Sequence, residues 1–141
     1  PDHTNDRFRS CRLDLFKSLS QLEDICLFSL QKGEAVKQLS ECDFPIVDLD
    51  EMIHDYADTA AAIACLDLVI SVDTSVVHLA GAMNKPVWVL LPANPDWRWM
   101  LERDDSPWYP SMRLFRQQII GQWEPVFEQV VCQLEASIKL K

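Results

Sequence analysis

Short apolar runs alternate along the chain with stretches in which apolar residues recur every three or four positions. The run at 68–72 is β-branched and apolar on both faces, as a central parallel strand is. The short apolar runs predict strands at 25–30, 45–49, 68–72 and 87–91, and residues 112–116 are a candidate for a last short strand. The amphipathic stretches predict helices at 10–22, 34–39, 56–65, 75–83 and 123–140. This alternation predicts an α/β fold, a Rossmann-like parallel sheet of about five strands with helices on both faces.

The first predicted element is a helix, whereas a doubly wound domain normally begins with a strand. We therefore expect the first central strand of the sheet to be missing. The strands beside that gap would expose unpaired backbone edges, which favours a homo-oligomer, a swapped segment or poor solubility.

Composition indicates one globular domain over residues 1–141, since 48% of the residues are hydrophobic and 25% are charged. No apolar run approaches the roughly 20 residues of a membrane span, and the polar start resembles no secretory signal. The odd number of scattered cysteines predicts reduced core residues in a cytoplasmic protein. They are Cys11, Cys26, Cys42, Cys65 and Cys132.

The net charge of −9 comes from one part of the chain. Between Lys37 and Lys85 there are nine acidic residues and no basic residue. Such a surface repels polyanions, so nucleic acid and anionic membrane surfaces are poor partners. Asp48-Leu49-Asp50 has the spacing of a metal-binding Asp-x-Asp motif, but it lies in this acidic stretch and is interpreted as coincidence.

The most informative segment joins an apolar strand to a helix through Asp73, Thr74 and Ser75. A helix start offers free N–H groups and partial positive charge, and small hydroxyl residues add donors there, which suits a phosphate. His78 lies four residues after Thr74, on the same side of the helix. The alternative is that Asp73 or Thr74 only caps the helix and that His78 is a structural residue.

Residues 72–82, Val-Asp-Thr-Ser-Val-Val-His-Leu-Ala-Gly-Ala, and residues 85–92, Lys-Pro-Val-Trp-Val-Leu-Leu-Pro, closely resemble glycosyltransferase family nine, which contains the heptosyltransferases. Residues 95–99 and 106–110 are similar to bacterial members that carry tetratricopeptide repeats. The resemblance extends over nearly the whole chain. It implies the C-terminal, donor-binding half of a GT-B fold.

The resemblance also implies roles for individual residues. Asp73, Thr74 and Ser75 would meet the diphosphate of a nucleotide sugar, and His78 would support them. Arg7 takes the place of a lysine that heptosyltransferases carry near the phosphates, and an arginine can hold a phosphate through two hydrogen bonds. The alternative is that Arg7 is a surface residue.

A second set of candidates has weaker support. Gln31 and Lys32 follow a predicted strand and are expected to face the ligand crevice, while His54, Asp55 and Tyr56 fall where the family places the nucleotide base. Trp97 and Arg98, in the tryptophan-rich loop 92–112, are candidates for sugar contacts. The alternative is that this loop is pinned by a hydrophobic cluster.

The implied function is that of the donor half of an inverting glycosyltransferase, with neither metal nor cofactor. The partners would be the nucleotide-sugar donor and an N-terminal acceptor-binding half or tetratricopeptide repeats, and other parts of the parent protein could attach it to the inner membrane. Because the acceptor and the general base belong to the other half, the isolated chain is expected to be inactive. The alternatives are a catalytically silent nucleotide-sugar-binding or protein-interaction module and, less favoured, an acidic receiver domain.

Overall fold

The computed structural model describes residues 10–139, and within them it contains five strands in two parallel sheets. β1 pairs with β2, and β3, β4 and β5 form a second sheet in that order. The strands are β1 Phe28–Ser29, β2 Val47–Asp48, β3 Val69–Val72, β4 Val87–Leu91 and β5 Met112–Arg116.

Within residues 10–139, four α-helices lie before, between and after these strands. They are α1 Lys17–Ser20, α2 Tyr56–Cys65, α3 Ser75–Ala82 and α4 Glu124–Ile138. Three-residue-per-turn helices cover Leu13–Phe16, which runs directly into α1, and Gly33–Glu41, Asp50–Met52 and Trp97–Trp99. The helix expected at 34–39 is therefore present in the tighter 3₁₀ form.

Apolar layers cover both faces of the three-stranded sheet. Alternate β4 residues Val87, Val89 and Leu91 pack with α2 and α3 on one face, here called the α3 face. Trp88 and Leu90 pack with α1 and α4 on the other, the α4 face. All five β4 residues are buried, as a central parallel strand requires. The prediction of parallel strands with helices on both faces is confirmed.

The strands do not form one continuous sheet, because no backbone pairing joins β1 to β3 within residues 10–139. β1 and β2 are also shorter than their apolar runs and have two residues each.

The interpretation of the cysteines as core residues is wrong for most of them. Cys26, Cys65 and Cys132 are exposed, while Cys11 and Cys42 are partly buried, and all five are free thiols. Cys26 and Cys65 fall at exposed positions of otherwise apolar segments, a distinction that depends on tertiary packing. None of the helices in the described part is long and apolar enough to cross a membrane.

Candidate functional site

The loop between β3 and α3 places the residues predicted to bind phosphate at the carboxyl end of β3, an edge strand of the three-stranded sheet. Thr74 is the residue before the helix and has an extended backbone, with φ −137° and ψ 171°. Its hydroxyl makes no capping hydrogen bond and lies 3.4 Å from the Ser71 hydroxyl. The side chain of Thr74 therefore leaves the first amides of α3 uncapped. Those amides and the exposed Ser75 can donate to an anion.

Asp73 and His78 lie together one turn apart. His78 Nε2 is 3.5 Å from Asp73 Oδ1, and the side chains are 32% and 15% exposed. On its other side His78 stacks against Trp99, with ring centroids 5.4 Å apart, and its centroid is 5.8 Å from that of Tyr109. The imidazole is thus held between a carboxylate and two aromatic rings. These contacts restrict the orientation of the His78 ring.

The tryptophan-rich loop packs directly against α3. Gly81 makes this possible, because a Cβ at that position would lie 2.4 Å from Met112 Cε and 2.8 Å from Tyr109 Cγ. Trp99 is 2% exposed and belongs to the hydrophobic core of the α3 face. The alternative interpretation, that a hydrophobic cluster holds the loop in place, therefore applies to Trp99 and Tyr109.

Trp97 and Arg98 differ from Trp99 in their surroundings. Trp97 is 75% exposed, and Arg98 Nε lies 3.0 Å from Asp96 Oδ1. The indole of Trp108 donates to the Arg98 carbonyl at 3.3 Å, so the outer part of the loop is also held in place. A sugar contact by Trp97 or Arg98 stays a prediction.

Arg116 is a residue of this region that the sequence did not point to. It ends β5, and its Nη2 donates to the carbonyls of Trp99 and Arg103, at 3.1 and 3.5 Å. Nη1 is buried and has no hydrogen-bond partner. Burial lowers the pKa of this guanidinium. The sequence offered one signal for this role, which is a basic residue at the carboxyl end of a predicted strand. The loop carbonyls that Arg116 contacts lie 13 and 17 residues away, so no local pattern points to them.

Lys32 is close to the segment expected to hold the nucleotide base. Its ammonium donates to the carbonyls of Asp50 and Ile53, at 2.6 and 2.8 Å, and pairs with the Asp50 carboxylate at 2.5 Å. The structure thus brings Lys32 together with the loop that leads to His54. Gln31 is exposed, and its backbone N–H donates to Ser29 Oγ at 3.2 Å.

Asp55 caps α2, as its position before the helix predicts. Its carboxylate accepts from the amides of Ala57 and Asp58, at 2.7 and 2.9 Å. The backbone N–H of His54 donates to Asp58 Oδ2, and the Tyr56 side chain is 66% exposed. Tyr56 and the His54 ring are therefore open to a ligand, whereas the Asp55 carboxylate is already engaged. Arg7 lies outside the described residues.

The predicted residues thus form two separate groups in the structure. One consists of Asp73, Thr74, Ser75 and His78 at the end of β3, and the other of Lys32 and residues 54–56 near the ends of β1 and β2. Within residues 10–139 no three His, Cys, Asp or Glu side chains are placed to hold a metal ion.

Comparison with known proteins gives two matches. Residues 14–121 match the family described as glycosyltransferase family 9 (heptosyltransferase). The chain is 39% identical over 80 residues to Protein FlbA of Caulobacter vibrioides, an alignment that covers 57% of this chain and 13% of that protein. The chain therefore spans a small part of its relative. No solved structure matches the chain.

Proposed function

Because the chain belongs to glycosyltransferase family 9, we propose that it forms the donor-binding half of an inverting, heptosyltransferase-like glycosyltransferase and binds the diphosphate of a nucleotide sugar. The observation that carries this proposal is the start of α3. There the Thr74 hydroxyl makes no capping bond and the exposed Ser75 adds a second hydroxyl.

The electrostatics of this helix start favour an anion. Each helix has partial positive charge at its amino end, and the first amides point outward along the axis. The carboxylate of Asp73 would oppose an anion, but it lies beside His78 and is only 15% exposed. The diphosphate would therefore meet mainly amide and hydroxyl donors.

In the proposed reaction the bond between the sugar's anomeric carbon and the diphosphate oxygen breaks while a bond to an acceptor hydroxyl forms, with inversion. The negative charge that develops on the leaving diphosphate would be stabilised by the α3 amides and the Thr74 and Ser75 hydroxyls. The acceptor proton would pass to a general base on the acceptor-binding half. Positioning the donor against an acceptor across a cleft can contribute roughly 7–11 kcal/mol, so the donor half without its partner is expected to bind but not to transfer.

Calorimetry with ADP, UDP and GDP sugars tests the binding step. We expect dissociation constants in the micromolar to millimolar range for at least one nucleotide sugar, and weaker binding after Thr74→Ala. Ser137→Ala is the matched control, because it also removes a helical hydroxyl but lies on α4, where that hydroxyl donates to Gln133 O. Equal binding by both variants and the parent chain would place the site elsewhere.

The alternative function is a module that binds a nucleotide sugar, or a protein, without catalysis. The observation favouring it is that Lys32 and Asp55 already use their charged groups within the chain. A product assay on the longest natural polypeptide that contains this chain separates the two. Sugar transfer supports the enzyme, whereas donor binding without product supports the silent module.

A further inference from the structure

Met100, in the tryptophan-rich loop, has a backbone conformation that its residue type rarely adopts. Its φ is 51° and its ψ is −176°, at the edge of a region that is essentially restricted to glycine. Among the described residues, Asp24 and Asn84 are the other non-glycine residues with positive φ. Aspartate and asparagine adopt positive φ several-fold more often than other side chains do. The turn at Met100 is therefore a site of backbone strain.

The contacts of neighbouring residues hold this strained turn in place. Arg116 Nη2 donates to the carbonyls of Trp99 and Arg103, which lie on either side of Met100 in the sequence. Trp99 is buried in the core of the α3 face. The side chains of Met100 and Leu101 are exposed, so they contribute no burial that would offset the strain. The turn therefore depends on Trp99 and Arg116.

The packed arrangement also leaves two polar donors unsatisfied. Trp99 Nε1 and Arg116 Nη1 are buried, and neither has a hydrogen-bond partner in the described part of the chain. A buried donor without a partner destabilises the packed arrangement, because the group has lost its hydrogen bonds to water. Both donors belong to the two residues that hold the strained turn. Strain and desolvation thus oppose the contact that the burial of Trp99 stabilises.

The segment that carries these costs is anchored just beyond its end. Leu114 N–H donates to Asp104 O at 2.7 Å, and Asp105 forms a β-bridge with Arg113. These contacts tie residues 104 and 105 to β5. The ladder between β4 and β5 involves no residue of 97–103, so this segment can move while the sheet stays intact.

We propose that residues 97–103 form a lid that hinges at Met100 and opens by local release of Trp99 from the core. Opening relieves the backbone strain and lets water reach Trp99 Nε1 and Arg116 Nη1. It is opposed by the loss of the buried indole and of the two carbonyl contacts of Arg116. Strained residues of this kind are found at ligand clamps and switch segments, where they favour a second arrangement.

The lid covers one side of His78. The rings of Trp99 and His78 stack with their centroids 5.4 Å apart, and His78 lies beside Asp73 near the start of α3. Release of Trp99 would uncover that side of the imidazole, so the lid would control how much of His78 a ligand can reach. This role rests on the proposed function, whereas the opening itself depends only on contacts within the chain.

Hydrogen exchange of the Trp99 indole N–H, measured by NMR on the ligand-free protein at low urea concentrations, tests the opening. This proton is buried, so its exchange requires release of the ring. We expect it to be at least tenfold less protected than the amide of Val89 in the central strand β4, and its exchange to depend little on urea. Equal protection and equal urea dependence of the two protons would mean that Trp99 is released only by global unfolding and would overturn the lid.

Met100→Gly and Leu101→Gly form a matched pair that tests the hinge. Both add a glycine at an exposed position, but Met100 has positive φ and Leu101 is not among the residues that do. Only Met100→Gly relieves the strain of the packed arrangement, so we expect exchange of the Trp99 indole N–H to be about fivefold or more slower in Met100→Gly than in Leu101→Gly. Equal exchange in the two variants would overturn Met100 as a strained hinge.

Calorimetry with nucleotide sugars reports on the candidate site separately. Absence of nucleotide-sugar binding from a protein whose lid opens as expected would contradict the proposed function and leave the lid standing. Normal nucleotide-sugar binding by a protein in which Trp99 is released only with global unfolding would contradict the lid and leave the site standing.

Discussion

Replacing Gly81 with alanine tests the packing of the tryptophan-rich loop on α3. In an ordinary helix this change stabilises the protein by about 1 kcal/mol, because alanine has the higher helix propensity. Here the new Cβ would lie 2.4 Å from Met112 Cε and 2.8 Å from Tyr109 Cγ. Met112 can move the end of its side chain, but the Tyr109 ring is confined between Gly81 and His78.

The two effects have opposite signs, and their magnitudes decide the outcome. Overpacking a buried site costs about 1–3 kcal/mol. The close approach of a rigid ring places Gly81→Ala in the upper part of that range. After subtracting the helix-propensity gain of about 1 kcal/mol, we expect a net loss of about 1–2 kcal/mol in the free energy of unfolding.

Urea denaturation followed by tryptophan fluorescence measures this loss. Ala61→Gly on α2 calibrates the helix-propensity term at an exposed position. In a Tyr109→Ala background the penalty of Gly81→Ala should become smaller, since most of the obstructing ring is removed. A Gly81→Ala protein as stable as the parent, or more stable, would refute the packing described here.

Three further predictions concern other parts of the molecule. Asp55→Ala should lower the free energy of unfolding by about 1 kcal/mol and Asp55→Asn by less, measured by urea denaturation, because asparagine can still cap α2; equal losses would contradict the capping role. Burial raises the pKa of Cys11 to about 12, so at pH 8 iodoacetamide should modify the three exposed cysteines before Cys11. Because the unfolded thiol loses its proton at lower pH than the folded one, the Cys11 contribution to stability should also fall as the pH rises above about 9, an effect that Cys11→Ser would abolish. Arg116→Ala should loosen the loop around Trp99, because alanine removes the donor to the Trp99 and Arg103 carbonyls; faster acrylamide quenching of tryptophan fluorescence would report it, and unchanged quenching would contradict it.

Elements fixed by local signals were predictable from the sequence. Tyr56–Cys65, Val87–Leu91 and Met112–Arg116 have the bounds that the pattern indicates. In the first of these, Asp55 is a helix cap that acts within three residues. In Val87–Leu91, consecutive apolar residues correspond to burial on both faces. The placement of Thr74 and Ser75 at a helix start was also predictable, because the apolar run before them and the amphipathic stretch after them are adjacent in the sequence.

Features that depend on distant partners were not predictable. Lys32 binds carbonyls 18 and 21 residues away, and Arg116 binds carbonyls 13 and 17 residues away. The exposure of Cys26 within an apolar run depends on tertiary neighbours, which no local pattern encodes. In each case the deciding partner lies far along the chain, so residue type and spacing carry no information about it.

The most direct test of donor binding at α3 is a titration of the ¹⁵N-labelled protein with nucleotide sugars, followed by NMR. We predict that the largest shifts fall on the amides of Ser75 and Val76, with smaller shifts at Val77, whose N–H already donates to Thr74 O at 3.2 Å, and at His78. Pyrophosphate has no nucleotide base, so it should reproduce the shifts at the helix start but not any shifts near Tyr56. Shifts confined to parts of the chain away from the start of α3, or no shift there with any nucleotide sugar that binds, would contradict the central claim.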